Sequence, residues 1–167
     1  MKLLVIRHAI AQDREEFAEN GGADAQRPLT SEGIAKMERA AKGLKNTIEK
    51  IDVLATSPLT RAAETADIIS REFGMGGAEV IPALQPGATV EEFEQWGSTH
   101  AGRDVIAIIG HEPHLSSLVT WLVAGRGNSA VELKKGGACL VEFDLAPRAA
   151  KGILKWLLTP RQLRRLA

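Results

Sequence analysis

The sequence predicts an α/β protein: a three-layer α/β/α sandwich whose central sheet is mainly parallel. Three observations carry this reading. Short, continuous apolar runs recur along the chain, as strands covered on both faces require. Stretches with apolar residues three and four apart lie between them, the signature of helices with one buried face. The two patterns alternate, which layers helices on both sides of a sheet. At 167 residues and 44% hydrophobic, the chain is long enough to bury a substantial core as one domain spanning 1–167.

Leu3 to Ile6 is the first strand. Ala11 to Arg27 follows, polar and irregular, acidic in its middle and ending in Asn20-Gly21-Gly22, and is read as a long loop that is either functional or simply mobile. Thr30 caps a helix that presents Ile34, Met37, Ala41, Leu44 and Ile48 on one face. Val53 to Thr56 is the second strand, and Ser57-Pro58 reads as a cap and first helical proline ahead of Ala62, Ala66, Ile69 and Phe73. Glu79 to Pro82 is a third strand. Thr89 and Glu92 have capping-box spacing ahead of Phe93 and Trp96. Val105 to Ile109 is a strand, Pro113 introduces a helix with Leu115, Leu118 and Leu122, and Ala138 to Phe143 and Gly152 to Leu158 complete the sheet.

Lysine and arginine total 21, as do aspartate and glutamate, so no overall field draws the protein to nucleic acid or an anionic membrane. Any anion site must be local. Cys139 is the one cysteine, which excludes a disulfide framework or a multi-cysteine metal cage and suits a reducing compartment. The apolar start is interrupted at once by Arg7 and His8, too short for a signal core or membrane span. A cytoplasmic protein, monomeric and without a membrane partner, is expected.

Three strand ends carry the chemistry: Arg7-His8, Ser57-Pro58 running on to Arg61, and Gly110-His111. In an α/β sheet, ligands bind in the crevice outside the carboxyl ends of the strands, so these residues should converge. Two arginines present planar forks of donors to phosphate oxygens, and the helix opening at Ser57 adds partial positive charge. A neutral imidazole attacks phosphorus without first losing a proton, and nearby arginines disfavour the imidazolium, keeping the histidine in its reactive form. The same arginines neutralise charge on the equatorial oxygens in the transition state, so neither metal nor cofactor is required.

At these residues the sequence resembles the histidine phosphatase superfamily, which includes the phosphoglycerate mutases. Arg7-His8 looks like its arginine-histidine signature, Ser57-Pro58-Leu59-Thr60-Arg61-Ala62-Ala63-Glu64-Thr65-Ala66 is similar to its second motif, and Gly110-His111 to its third. Arg27-Pro28-Leu29-Thr30 with Gly33, Leu84-Gln85-Pro86-Gly87 and the Trp156 to Pro160 segment resemble the short bacterial SixA-type phosphohistidine phosphatases. The resemblance implies a phosphoglycerate mutase-like fold. It also implies that His8 is phosphorylated, that Arg7, Arg61 and His111 hold the phosphoryl group with Ser57 and Arg27 as further binding residues, and that water hydrolyses the phosphoenzyme.

Two departures bear on substrate. Ala9 stands where glycine commonly follows the signature, a small replacement. Many family members carry an acid after the third strand to protonate the leaving group, whereas Gln85, Pro86 and Gly87 occupy that stretch. General acid help is worth about two to four powers of ten in rate to an alkoxide leaving group. Departing imidazole needs it less. The missing acid therefore favours phosphohistidine on a partner protein, such as a histidine phosphotransfer domain, with Glu112 or an acid from Asp13 to Glu19 as the available substitutes. The segment Pro82 to Asp104 is too brief for a large lid, which fits a histidine displayed on a protein.

Three rival readings stand beside this one. One is a phosphomonoesterase of the same family acting on a small metabolite, and another a non-catalytic module that binds phosphorylated partners. His111-Glu112-Pro113-His114 superficially suggests zinc, but its histidines are three apart with a proline between them rather than four apart on one helix. Other residues have plainer readings. His100 reads as a surface loop residue, His114 as a helix start, Glu64 as solvent-facing or paired with an arginine, and Cys139 as inert core. Arg161, Arg164 and Arg165 read as a solvated helix end.

Overall fold

The computed structural model describes residues 1–167. Its order is β1 (Lys2–Arg7), α1 (Arg14–Glu19), α2 (Ser31–Lys45), β2 (Val53–Thr56), α3 (Thr60–Phe73), β3 (Glu79–Val80), α4 (Val90–Ser98), β4 (Val105–Gly110), α5 (His114–Ala124), β5 (Ala138–Glu142), β6 (Ile153–Leu158) and α6 (Pro160–Arg165), with 3₁₀ turns at Asp24–Gln26 and Pro82–Leu84. The strands form one six-stranded sheet in the order β3-β2-β4-β1-β5-β6. The β3-β2, β2-β4 and β4-β1 pairs are parallel, and the β1-β5 and β5-β6 pairs antiparallel. No helix is long and apolar enough to cross a membrane.

Alternation along each strand divides the core. Leu4, Ile6, Leu54, Ala107, Ile109 and Leu140 face α2, α3 and α6. Leu3, Val5, Ala55, Ile106, Ile108, Cys139 and Val141 face the other way, under Phe93 of α4 and Leu115, Leu118, Val119 and Leu122 of α5. Each such aliphatic side chain contributes roughly 1.5–3 kcal/mol by leaving water. The α2 stripe is Met37, Ala40, Ala41 and Leu44; Ile34 lies at its rim, 37% exposed, and Ile48 is buried beyond the helix end. Helices α2 and α6 meet backbone to backbone at Gly43, where a Cβ would stand 1.9 Å from Leu163 O.

Helix starts hold where a side chain is free to cap. Thr30 Oγ1 accepts from Gly33 N, and Thr89 with Glu92 forms a complete capping box. Two expectations are corrected. Helix α3 begins at Thr60, not at Ser57-Pro58: the Ser57 hydroxyl lies 2.8 Å from His111 Nε2 and accepts only a long 3.4 Å contact from Leu59 N, and Leu59 precedes the helix without a side-chain cap. Residues 11–27 are not without structure: Asp13 caps α1, accepting from the Glu15 and Glu16 amides, and the 3₁₀ turn follows. The third strand is also shorter than expected, because Pro82 opens a 3₁₀ turn.

Candidate active site

Adjacent strands β2, β4 and β1 bring the three basic strand ends together. Beyond the paired registers the backbone ladder continues: His8 N donates to Gly110 O at 3.0 Å and Ser57 N to Ile109 O at 3.0 Å. A cleft of about 650 Å³ opens there, lined by Arg7, His8, Arg27, Arg61, His111 and Glu112, with Pro86 and Lys135 at its edges. The His8 and His111 ring centroids are 5.0 Å apart.

His8 is 5% exposed. Its Nδ1 lies 2.7 Å from Ala9 O, and a carbonyl can only accept, so the proton is on Nδ1 and the lone pair on Nε2. Burial, with Arg61, Arg7 and Lys135 acting in the same direction, lowers its pKa to about 4. The arginines act as the sequence suggests, with burial adding the larger effect. Ala9 lines a neighbouring small pocket and not the cleft, so its methyl leaves the approach to His8 open.

Arg7 is held by the loop before β5: its Nη1 donates to Leu133 O at 2.7 Å, and Gly136 N donates to the Arg7 and His8 carbonyls. Gly136 has φ of 75°, a conformation that glycine adopts without strain. Arg61 is 3% exposed and directs Nη1 and Nη2 to Asp24. Thr65 Oγ1 accepts from Ala9 N and donates to Arg61 O, tying β1's exit to α3. His111 Nε2 is 2.8 Å from Ser57 Oγ, and burial, then His8 and Arg61, lowers its pKa to about 3. Arg7 Nε, Arg61 Nε and His111 Nδ1 are buried without a protein partner, a concentration of unsatisfied polar atoms that marks a site for a polar ligand.

The acids sort by environment. Backbone amides of Glu16 and Glu15 hold Asp13 below the usual carboxylate range, so it stays ionised. Burial raises Glu112, whose Oε2 accepts from Ser116 Oγ. Of Gln85, Pro86 and Gly87, only Pro86 reaches the cleft.

Other expected positions resolve differently. Ser57 does not line the cleft and reaches it through His111. Arg27 does line it, but donates Nε to Asp24 and Nη1 to Gln12 O. Glu64 neither faces solvent alone nor pairs with an arginine: its carboxylate accepts from Leu29 N. His100 is not a plain surface residue, since its ring lies 4.7 Å from that of Trp96 and 3.6 Å from the Glu79 carboxylate. His114 is buried away from the cleft, so it and His111 do not share a ligand. Cys139 is core, its thiol pushed up to about 12 by burial. Asp24, Thr65 and Lys135 were not anticipated; Asp24, three residues before Arg27, carried only a faint signal.

The model for the histidine phosphatase superfamily (branch 1) matches residues 3–85. An uncharacterised protein of Picosynechococcus sp. is 30% identical over 141 residues, covering 82% of each chain. Phosphohistidine phosphatase SixA of Escherichia coli is 25% identical over 167 residues, covering 98% of this chain and 97% of its own. Among solved structures, the protein histidine phosphatase SixA complexed with tungstate superimposes with a TM-score of 0.83 at 24% identity, over 98% of this chain and 99% of that one. The alpha-ribazole phosphatase of Shigella flexneri superimposes at 0.70 with 18% identity, over 96% and 97%. With the paired strand-end motifs and the mixed sheet in agreement, the chain belongs to the histidine phosphatase superfamily.

Proposed function

We propose that the protein is a metal-independent phosphohistidine phosphatase in which His8 is the nucleophile. The observation that carries this is the fixed tautomer of His8, which leaves the Nε2 lone pair free in a cleft that His8 shares with Arg7, Arg61 and His111. The Nε2 lone pair forms a bond to phosphorus as the P–N bond to the substrate histidine breaks, its electrons passing to a departing imidazole whose other nitrogen carries a proton, so that it leaves neutral. Water then attacks phospho-His8, one of its protons passing to solvent; the P–N electrons return to Nε2, releasing hydrogen phosphate and a neutral imidazole that still carries its Nδ1 proton. Arg7, Arg61 and His111 hold the phosphoryl oxygens where charge develops. Ser57 orients His111, and Arg27 stands at the rim. The arginines supply the positive charge that a metal would otherwise bring, and oppose a second cation.

The segment between β3 and β4 gives the cleft only Pro86, leaving it open to a histidine on another protein. Similarity to SixA along nearly the whole chain supports the same substrate class. A second reading, hydrolysis of a small phosphate ester, is favoured by the presence of a carboxyl in the cleft lining, Glu112, whose pKa burial raises, since a poor leaving group needs a general acid.

The test compares turnover of a phosphohistidine protein with a panel of phosphate esters, alongside trapping of the phosphoenzyme. Wild type should leave an acid-labile phosphoryl group on His8, and His8→Ala should neither trap it nor turn over. Selective ester turnover with none on phosphohistidine would move the assignment to the second reading. An active His8→Ala would remove the nucleophile.

A further inference from the structure

Asp24 sits on the 3₁₀ turn of a loop closed at its base, where Gln12 N donates to Pro28 O and Ala11 bridges Leu29. One carboxylate there serves three guanidinium groups. Oδ1 accepts from Arg14 Nε at 3.2 Å and from Arg27 Nε at 3.0 Å, and Oδ2 accepts from Arg61 Nη2 at 3.1 Å. The Asp24 backbone carbonyl takes Arg61 Nη1 at 2.8 Å, so this one residue grips both terminal nitrogens of Arg61. Arg27 Nη1 returns to Gln12 O and ties the arrangement to the loop base.

Asp24 is the only anion paired with Arg61. Helix α3 fixes the Arg61 backbone, but four side-chain torsions separate that backbone from the guanidinium. Two bonds to one residue determine the plane of the fork, leaving Nε–H and the second hydrogens of Nη1 and Nη2 for other acceptors. The shared carboxylate also offsets repulsion among three like charges gathered at one rim.

We propose that Asp24 is a positioning residue for the phosphoryl pocket, coupling the 12–28 loop to Arg61 so that the loop's closure sets the geometry of the phosphate-binding fork. The proposal rests on Arg61 being a phosphoryl ligand. It makes the polar loop, which contributes no core residue through α1 or its 3₁₀ turn, part of the binding apparatus.

Binding of inorganic phosphate, measured calorimetrically, tests this without relying on turnover. Asp24→Ala should weaken phosphate binding on the order of 10- to 100-fold, the loss expected when a charge-assisted hydrogen bond to the anion is no longer aligned. Asp24→Asn, which keeps a side-chain acceptor for Arg61 Nη2 where alanine has none, should recover part of it. In an Arg61→Lys background, where the two-point grip is already gone, Asp24→Ala should cost less than about 3-fold, because coupled residues are non-additive. Equal losses in both backgrounds would make Asp24 a loop anchor and overturn the proposal, as would unchanged or tighter phosphate binding. If Asp24→Ala does not fold, Asp24→Asn carries the same cycle. A wild type that bound phosphate with this coupling yet hydrolysed no phosphohistidine would count against the proposed function and leave the role of Asp24 standing.

Discussion

A single backbone carbonyl, Ala9 O, decides which nitrogen of His8 carries the proton, because it accepts from Nδ1. The imidazole C–H resonances of His8 should therefore titrate with a midpoint near pH 4, well below 6.5, and NMR would show it. Ser57→Ala frees the His111 ring from its one side-chain partner. A lost hydrogen bond of about 1.4 kcal/mol lowers kcat/KM about tenfold, and because both groups are buried the thermal midpoint should fall by a few degrees. Glu112→Gln separates the two substrate readings by rate. On an ester with an alkoxide leaving group it should cost roughly 100-fold, and on phosphohistidine only a few-fold. His8, Arg7, Arg61 and His111 were legible because each stands at a strand end, or at the start of the helix that follows one, within a recognisable motif. Asp24 was not, since its partner Arg61 is 37 residues away and no local spacing encodes that pairing.

Among the elements, α2 shows how close packing overrides propensity. Alanine is a better helix former than glycine by about 1 kcal/mol. Gly43→Ala should nonetheless destabilise the protein by about 1–3 kcal/mol in urea unfolding, because the added methyl meets the Leu163 carbonyl of α6. Thr30→Ala removes the α2 cap and should cost about 1 kcal/mol by the same measurement. Both capping signals, at Thr30 and Thr89, were readable because their partners lie three residues on. Ser57-Pro58 carried the same local signature, but the Ser57 hydroxyl is shared between a histidine 54 residues away and a long contact from Leu59 N, and the helix starts three residues later.

The whole molecule registers the two buried histidines as acid sensitivity. Unfolded, a histidine titrates near 6.5, whereas folded His8 does so near 4. As pH falls below 6.5 the unfolded chain binds a proton that the native state does not, so stability declines, levelling off below the folded value. For His8, which is 5% exposed, the loss reaches about 3 kcal/mol, a large part of a typical domain's stability. Urea midpoints should drop between pH 7 and 4.5, and His8→Asn should flatten that dependence. By itself, the sequence determined the alternation of strands and helices, the strand ends that carry basic residues, and the family. Those are recorded in local periodicity and contiguous motifs, set by backbone geometry and burial. Only the tertiary structure decided the tautomer of His8, the antiparallel placement of β5 and β6, and the grip of Asp24 on Arg61. Each of these depends on which distant backbone or side-chain group arrives at a given point once the layers pack.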